Sequence, residues 1–245
     1  HPWWRARAAL VISLLESLDI RPPATVLDAG CGWGVTLDAL ERTGYRTVAI
    51  DISRRALELL DRPGRFLIQA DLTKPIPGST TRFDAVLALD LIEHLDDDRS
   101  AVRRLASLVR PGKVLIVSVP ALPELFTEFD AVQGHRRRYL PESLRSAFEG
   151  SGLELVSVFW WGEWMVPILK RQRQRKRRAS REGESPSEVY RHYLRLPPWP
   201  VPLAFRMLCA IEQSRATAGK LRTGTSLFAV ARAPAESEQA APTTL

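Results

Sequence analysis

The sequence predicts an α/β protein in which helices cover both faces of a mostly parallel sheet of seven strands. The first observation is that short apolar runs alternate with helical stretches along the chain, which is typical of strand–helix–strand units. The second is that three of these runs, 65–71, 83–90 and 113–120, are apolar throughout rather than at every other position. Such strands are buried on both faces, as in a parallel sheet.

The individual elements are predicted from local patterns. Apolar residues at helical spacing from Leu10 to Leu18 indicate an amphipathic opening helix that ends before Pro22 and Pro23. Other helices are expected up to about Arg42, over 54–61, over about 98–109 with Pro111 and Gly112 closing it, and from Pro141 onward. Strands are expected at 24–30, 46–53, 65–71, 83–90, 113–120, 153–159 and 226–233.

The composition is that of a soluble globular protein, with 45% apolar and 26% charged residues. Two cysteines are too few for a disulfide framework, which favours a reducing, cytoplasmic compartment. No membrane-spanning helix is predicted, because the most apolar stretch, 153–169, contains Gly162, Glu163 and Pro167 and is shorter than the roughly 20 residues that a span needs.

The net charge of +7 is concentrated in one place, because the run 170–178 alone contains seven basic residues. The rest of the chain is therefore close to neutral. Such a run is either a solvated helix face or a contact with an anionic partner, and the sequence leaves both open.

A long segment separates the last two strands and must hold structure of its own. We therefore expect a core domain over 1–162 plus 223–233, an insert over 163–222, and a disordered tail over 234–245. The insert contains the basic run and a predicted helix from Leu203 to about Ala216 with Leu203, Met207, Ala210 and Ile211 on one face. It also contains a proline cluster: Pro197, Pro198, Pro200 and Pro202.

A glycine-rich turn, DAGCGWG, follows the first strand. In an open parallel sheet, ligands bind beyond the carboxyl ends of the strands, where glycines allow close approach to the backbone. A dinucleotide fingerprint requires G-x-G-x-x-G/A, whereas here Gly30 and Gly32 are followed by Gly34 and then Val35. The turn therefore predicts a nucleotide-type ligand other than a nicotinamide or flavin dinucleotide.

The stretch VLDAGCGWG resembles the first motif of class I S-adenosylmethionine-dependent methyltransferases. The resemblance extends over about residues 24–160 and the last strand. It implies a Rossmann-like sheet whose last strand is antiparallel, with S-adenosylmethionine as the cofactor and S-adenosylhomocysteine as the product. It specifies the cofactor and leaves the acceptor open.

The same resemblance implies roles for residues at four strand ends. Asp51 matches the acid that accepts hydrogen bonds from the ribose diol, and Asp71 the acid that accepts from the adenine amino group. Asp28 matches the acid that faces the methionine ammonium. The implied cofactor-binding residues are Asp28, Gly30, Cys31, Gly32, Asp51, Ile52, Asp71, Leu72, Leu89 and Asp90.

Methyl transfer needs a positioned nucleophile and a group that removes its proton. His94, just past the fourth strand, is a candidate general base because imidazole titrates near neutral pH; the alternative is that it caps or packs against the next loop. No His/Cys cluster has metal-ligand spacing, so we expect no metal.

A second candidate cluster follows the fifth strand, in GHRRRY. This segment resembles a methyltransferase subgroup assigned to quinone-like or envelope-glycan substrates. His135 and Tyr139, four residues apart, would line a pocket if the loop became helical there. The alternative is a structural role, in which the arginines of the segment pair with Glu128, Asp130 and Glu142.

The opening HPWWRAR resembles the start of the same subgroup, where it would fold over the cofactor. Trp3 and Trp4 would then form a lid, unless they anchor the first helix in the core. Three tryptophans and an aliphatic patch precede the cationic run, in the stretch 159–169, a composition that favours contact with an anionic membrane surface.

We therefore expect transfer of a methyl group to an oxygen atom of a small or lipid-like acceptor. The protein is expected in the cytoplasm or at the inner membrane face. Two alternatives remain open at this stage. One is an RNA methyltransferase that uses the basic run 170–178, which we disfavour because the cations form one linear run. The other is a non-catalytic module that only binds the cofactor.

Overall fold

The computed structural model of the chain describes residues 2–76, 82–178 and 201–235. These residues contain one sheet of seven strands in the order β3-β2-β1-β4-β5-β7-β6. The strands are β1 (Thr25–Ala29), β2 (Arg46–Asp51), β3 (Phe66–Gln69), β4 (Phe83–Leu89), β5 (Val109–Pro120), β6 (Glu154–Trp161) and β7 (Ser226–Arg232). All seven coincide with the apolar runs, so the predicted strands are confirmed.

The first five strands pair in parallel, whereas β7 runs antiparallel to both β5 and β6. The mostly parallel sheet with an antiparallel last strand is therefore confirmed. Because strand order reverses on either side of β1 and β4, their carboxyl ends form the crevice where such sheets bind ligands.

Eight α-helices surround the described sheet. They are α1 (Pro2–Ser17), α2 (Val35–Arg42), α3 (Arg54–Leu60), α4 (Asp98–Ala106), α5 (Glu128–Val132), α6 (Pro141–Ala147), α7 (Val166–Arg178) and α8 (Val201–Thr217). Apolar side chains of α1, α2 and α8 pack in one core cluster, and those of α4 and α6 pack in another.

The alternation of side chains along β5 explains the two clusters. Val114 and Ile116 belong to the cluster of α1 and α8, whereas Leu115, Val117 and Val119 belong to that of α4 and α6. All five are fully buried. A strand covered on both faces needs apolar residues at every position, which is why its sequence lacks alternation.

The helix expected to extend to about Val109 is shorter than predicted. It ends at Ala106, and Val109 already begins β5, so Pro111 and Gly112 lie within the strand. The register of β4 against β5 shifts between Phe83 and Ala85, and this irregular pairing accommodates a proline that cannot donate a ladder hydrogen bond.

The insert contains helices on both sides of residues 179–200, which are not described. The predicted helix over 203–216 is confirmed as α8, and on its predicted apolar face Met207 and Ile211 are 58% and 66% exposed. The opposite face, with Cys209, Glu212 and Ala216, is buried. The apolar face predicted from the sequence is therefore exposed at Met207, Ala210 and Ile211.

The predicted tail lies outside the described residues from 236 onward, as do Pro197, Pro198 and Pro200. The helix α7 includes the backbone of the basic run. Among the helices of the described ranges, none is both long and apolar enough to span a bilayer.

Candidate active site

The glycine-rich turn connects β1 to α2 at the carboxyl edge of the sheet. Gly30 and Gly34 have φ values of 74° and 69°, in the left-handed region that favours glycine. A Cβ atom on Gly30 would lie 2.8 Å from Cδ1 of Leu91, and one on Gly34 would lie 2.5 Å from Cδ2 of Leu60. The turn is therefore restricted to glycine by both conformation and space.

Asp28 is the most unusual acid at this edge. It is only 2% exposed, and its Oδ2 atom has no hydrogen-bond partner. Burial raises its pKa to about 7, with Arg7 opposing the rise and Asp51 adding to it. A buried carboxyl without a partner is costly for the free protein, so its oxygen is suited to a cationic ligand.

Asp51 ends β2 beside the glycine turn. Its Oδ2 accepts a hydrogen bond from the backbone N–H of Gly32 at 2.8 Å, and its Oδ1 accepts one from Ser53 at 2.8 Å. These two bonds fix the carboxylate, and each oxygen retains further accepting capacity. The neighbouring Ile52 side chain is 66% exposed.

Asp71 and Leu72 follow β3 at the same edge. Hydrogen bonds from the Thr73 hydroxyl and backbone N–H, at 2.7 and 2.9 Å, lower the pKa of Asp71. Leu72 is buried in the core of the sheet face that α4 covers. The acid is therefore ionised and held beside an apolar wall.

Leu89 and Asp90 close the other side of the crevice, at the end of β4. Leu89 is 5% exposed, and Asp90 has a φ of 53°. The Asp90 carboxylate accepts from the Ser118 hydroxyl at 3.1 Å and forms an ion pair with Arg7 of α1. Arg7 was not predicted from the sequence, because only the fold brings the first helix to this strand end.

Cys31 lies within the turn and is 8% exposed. Burial raises the pKa of its thiol to about 12, with Asp28 and Asp51 contributing. Because the thiolate is the nucleophilic form, this cysteine acts as a small packing residue.

Glu93 and His94 lie in the 3-10 turn Ile92–His94 just past β4. Glu93 is fully buried, neither carboxylate oxygen has a hydrogen-bond partner, and burial followed by the charge of Asp90 raises its pKa. Burial and the neighbouring His135 lower the pKa of His94. The rings of His94 and His135 meet edge to face with centroids 4.8 Å apart.

His135 lies in an irregular segment, not in the helix that would have placed it with Tyr139 on one face. Its Nδ1 atom is 3.0 Å from Oδ1 of Asp130, and Arg138 also binds that oxygen. Although burial acts to raise the pKa of Asp130, hydrogen bonds from His135 and Thr127 and the charge of Arg138 lower it to about 2.

Tyr139 does not line the crevice together with His135. It is 1% exposed, and its hydroxyl donates to Oδ2 of Asp98 at 2.8 Å. Burial, followed by this hydrogen bond, raises the pKa of Tyr139. Its backbone bridges to Ala121 beside the end of β5, so we interpret Tyr139 as a residue that anchors the loop.

The three arginines of GHRRRY form ion pairs that hold the loop after α5 in place. Arg136 pairs with Asp96, Arg137 with Asp98, and Arg138 with Asp130. Of the partners expected from the sequence, Asp130 is confirmed, whereas Glu128 and Glu142 are not among the partners found. Arg136 and Arg137 thus connect the loop to the segment after β4, whereas Arg138 connects it to α5.

The arrangement defines a class of protein: a doubly wound α/β fold with a glycine turn and carboxylates placed to bind a nucleoside-containing ligand at one sheet edge. Residues 3–158 match the sequence model of the methyltransferase domain family, which is more than half of the chain. The chain belongs to that family.

A curated relative, named ubiquinone biosynthesis O-methyltransferase, from Xanthomonas campestris pv. campestris (strain B100), is 34% identical over 106 residues. That alignment covers 40% of this chain and 43% of the relative, so the chain spans less than half the length of this relative.

Two solved structures share the fold. A putative sarcosine dimethylglycine methyltransferase from Galdieria sulphuraria has a TM-score of 0.61 at 15% identity, covering 93% of this chain and 85% of that one. Phosphoethanolamine N-methyltransferase 2 of Haemonchus contortus, in complex with S-adenosyl-L-methionine, has a TM-score of 0.56 at 17% identity, covering 91% of this chain and 52% of that one.

The residues at this edge fit S-adenosylmethionine, the cofactor of such domains. The unpartnered Oδ2 of Asp28 matches an ammonium group, and the fixed carboxylate of Asp51 matches a diol. The side-chain-free surface at Gly32, where an added Cβ atom would meet nothing within 4 Å, leaves room beside them.

Proposed function

We propose that this chain transfers a methyl group from S-adenosylmethionine to an oxygen atom of a small, apolar or lipid-like acceptor. The proposal rests mainly on one observation: Asp28 presents a buried, unpartnered carboxylate oxygen directly before the glycine turn. Family membership and an O-methyltransferase relative support the reaction class. The alternatives of an RNA substrate and a non-catalytic module have no comparable support.

When bound, the cofactor supplies a methyl group on a positively charged sulfur. Asp28 would hold the ammonium, Asp51 the ribose hydroxyls, and Asp71 with the Leu72 backbone the adenine. Leu89 and Asp90 would bound the methionine side, with Arg7 holding Asp90 in place. These roles place the reacting atoms next to the turn that carries Glu93 and His94.

The acceptor must approach from the side of β4, where the loop after α5 brings His135 against His94. His94 and His135 remain the catalytic candidates of this proposal. Tyr139 is not retained, because its hydroxyl is buried against Asp98 and offers no proton-transfer group to the crevice.

Calorimetric titration with S-adenosylmethionine and S-adenosylhomocysteine tests the cofactor. We expect micromolar binding that Asp51→Ala weakens at least about tenfold, since the carboxylate loses its hydrogen bonds to the ligand. Asp61→Ala is the matched control, because Asp61 is an exposed acid at the end of α3. Binding of NADH instead, or equal affinity in both variants, would refute the proposal.

Methyl transfer itself is tested with phenolic, catecholic and hydroquinone acceptors, with and without a long apolar tail, by mass spectrometry of the products. A gain of one methyl group on oxygen is the expected result. Transfer to an amine in a parallel panel, with none to the hydroxyl compounds, would contradict the choice of oxygen.

We also propose that the insert contacts an anionic bilayer. Exposed apolar side chains on α7 and α8, such as Ile168 and Met207, accompany the exposed cations Lys170 and Arg171, a combination that favours an interfacial location. Co-sedimentation with phosphatidylglycerol vesicles at low salt should be stronger than with neutral vesicles and should fall when 170–178 is neutralised. Binding to RNA rather than vesicles would favour the alternative.

A further inference from the structure

Three metal-ligand groups converge just past the end of β4. Glu93 and His94 come from the 3-10 turn, and His135 comes from the loop after α5. One ligand atom from each residue lies within 4.8 Å of the other two. The sequence did not reveal this group, because His135 is distant along the chain and reaches the turn only through the fold.

Glu93 is the strongest sign that something is bound here. Its side chain is fully buried, and neither carboxylate oxygen has a hydrogen-bond partner. Leaving a buried carboxylate without a partner costs free energy, and proteins meet that cost by protonating the acid, by pairing it or by metal coordination. The nearest cationic candidate, Nε2 of His135, is 3.9 Å from Oε1 of Glu93, too far for a hydrogen bond.

His135 is oriented as metal-binding histidines are. Its Nδ1 atom contacts the buried Asp130 carboxylate at 3.0 Å, which leaves Nε2 facing Glu93. Asp130 is held in turn by Arg138 and by Thr127. A carboxylate behind the imidazole fixes the ring and its tautomer in many metal sites.

We propose that Glu93, His94 and His135 bind a divalent transition-metal ion of the Zn²⁺ or Mn²⁺ type beside the cofactor crevice. Two imidazoles and one carboxylate are a ligand set of such ions, whereas Mg²⁺ prefers oxygen ligands alone. Metal–nitrogen bonds of about 2.0–2.1 Å require the ligand atoms to draw closer than they are. His94 is only partly buried, so a change of its rotamer can close the site.

The ion's role rests on the function proposed above, whereas its binding does not. Three protein ligands leave coordination positions open, which is typical of catalytic rather than structural metal sites. An acceptor hydroxyl bound at an open position has a lowered pKa, loses its proton to solvent and stays fixed in place. In this arrangement His94 is a ligand to the ion and not the general base.

Metal titration of untagged protein, after treatment with a chelator and its removal, tests the site. We expect one Zn²⁺ per chain at about micromolar affinity or tighter by calorimetry, and a Co²⁺ absorption spectrum typical of nitrogen and oxygen ligands. Glu93→Gln and His135→Gln should each weaken binding at least about tenfold. The matched control is Glu128→Gln, since Glu128 is an exposed acid of the same segment.

Absence of binding by the wild-type protein would overturn the inference, and so would equal binding by Glu93→Gln and the control. Circular dichroism of Glu93→Gln checks its fold, and His135→Gln provides a second, independent test. Methyl transfer by protein that binds no ion would refute the metal site and leave the proposed function intact. Ion binding without methyl transfer to any acceptor would refute the proposed function and leave the metal site intact.

Discussion

Among the single residues, Asp28 destabilises the free protein when its carboxyl group is ionised, whereas the same ionised group can bind a cationic ligand in the complex. Its raised pKa of about 7 means that the folded chain holds a proton which the unfolded chain releases near pH 4. Stability of the free protein therefore falls as pH rises between these two values, by up to about 4 kcal/mol at 1.36 kcal/mol per pKa unit. A cationic ligand removes this cost by pairing with the ionised form.

Asp28→Asn should therefore stabilise the free protein while it weakens cofactor binding. At pH 8 we expect a melting temperature several degrees higher than that of the wild type, because no charge needs to be buried. At pH 4 the difference should nearly vanish, since the wild-type acid is then protonated. Thermal melts at both pH values check this, and a lower melting temperature at pH 8 would contradict it.

Binding of S-adenosylmethionine should depend on pH for the same reason. An ammonium ligand requires the ionised carboxylate, so the affinity should rise roughly tenfold per pH unit up to about pH 7. It should fall again above about pH 8, where an α-amino group loses its proton. Calorimetry across this range is the measurement, and in Asp28→Asn the rising limb should be absent.

Among the secondary-structure elements, β7 begins beside the end of β6 at a junction that is tightly packed around Gly224. A Cβ atom on Gly224 would lie 2.5 Å from the backbone oxygen of Trp161, a residue that is itself 1% exposed. Next to it, the Thr225 carbonyl accepts from the N–H of Ala121 at 2.9 Å. This junction thus connects the ends of β5, β6 and β7, and with them the base of the insert.

Gly224→Asn should destabilise the fold by about 2–3 kcal/mol, because a side chain there must displace backbone. The matched control is Gly150→Asn: Gly150 has a φ of 71° and no atom within 4 Å of an added Cβ, and asparagine tolerates that conformation. Urea denaturation of both variants gives the comparison. Equal midpoints would show that the junction relaxes at no cost.

The strands and helices differ in how far the sequence predicted them. The strands β1, β2, β4 and β5 are apolar enough to be identified alone, and the glycine turn after β1 is set by local conformation. The sequence did not identify the buried face of α8, because the acid Glu212 lies on it. Only the fold shows that this acid accepts from the backbone N–H groups of Gly162 and Glu163, which makes its burial tolerable.

At the scale of the whole molecule, the candidate site is assembled from segments far apart in the chain. Asp28 and Asp51 were predicted as cofactor ligands from the resemblance of the motif, and both lie in the last two residues of strands that local sequence predicts. The contact of His135 with His94 could not, since it depends on a loop that returns along the end of β5 and is anchored by Tyr139. Long-range contacts of this kind leave no periodic signal in the sequence.

The first helix links this site to the insert. Trp3 stacks on Trp161 with ring centroids 3.9 Å apart and meets Phe205 of α8 edge to face at 6.1 Å, while Arg7 of the same helix pairs with Asp90. Of the two roles considered for Trp3, the contacts favour an anchor in the core. The opening helix, the end of β6 and α8 therefore share one aromatic cluster.

Trp3→Ala should lower stability by about 2–3 kcal/mol, below or at the lower end of the range for a fully buried aromatic side chain, because Trp3 is partly buried. Trp33→Ala is the matched control, because Trp33 is 62% exposed and loses little packing. At about 2–4 °C per kcal/mol for a chain of this size, calorimetry should separate the two melting temperatures clearly.

Trp3→Ala should also weaken cofactor binding at a temperature where the variant is fully folded, because a loosened α1 no longer fixes Arg7 against Asp90. Arg7→Met, which removes the ion pair and leaves the aromatic cluster intact, should reproduce that loss of affinity with a smaller fall in stability. If Trp3→Ala binds the cofactor as the wild type does, the insert and the crevice are energetically independent. A parallel loss in both variants would establish that α1 couples them.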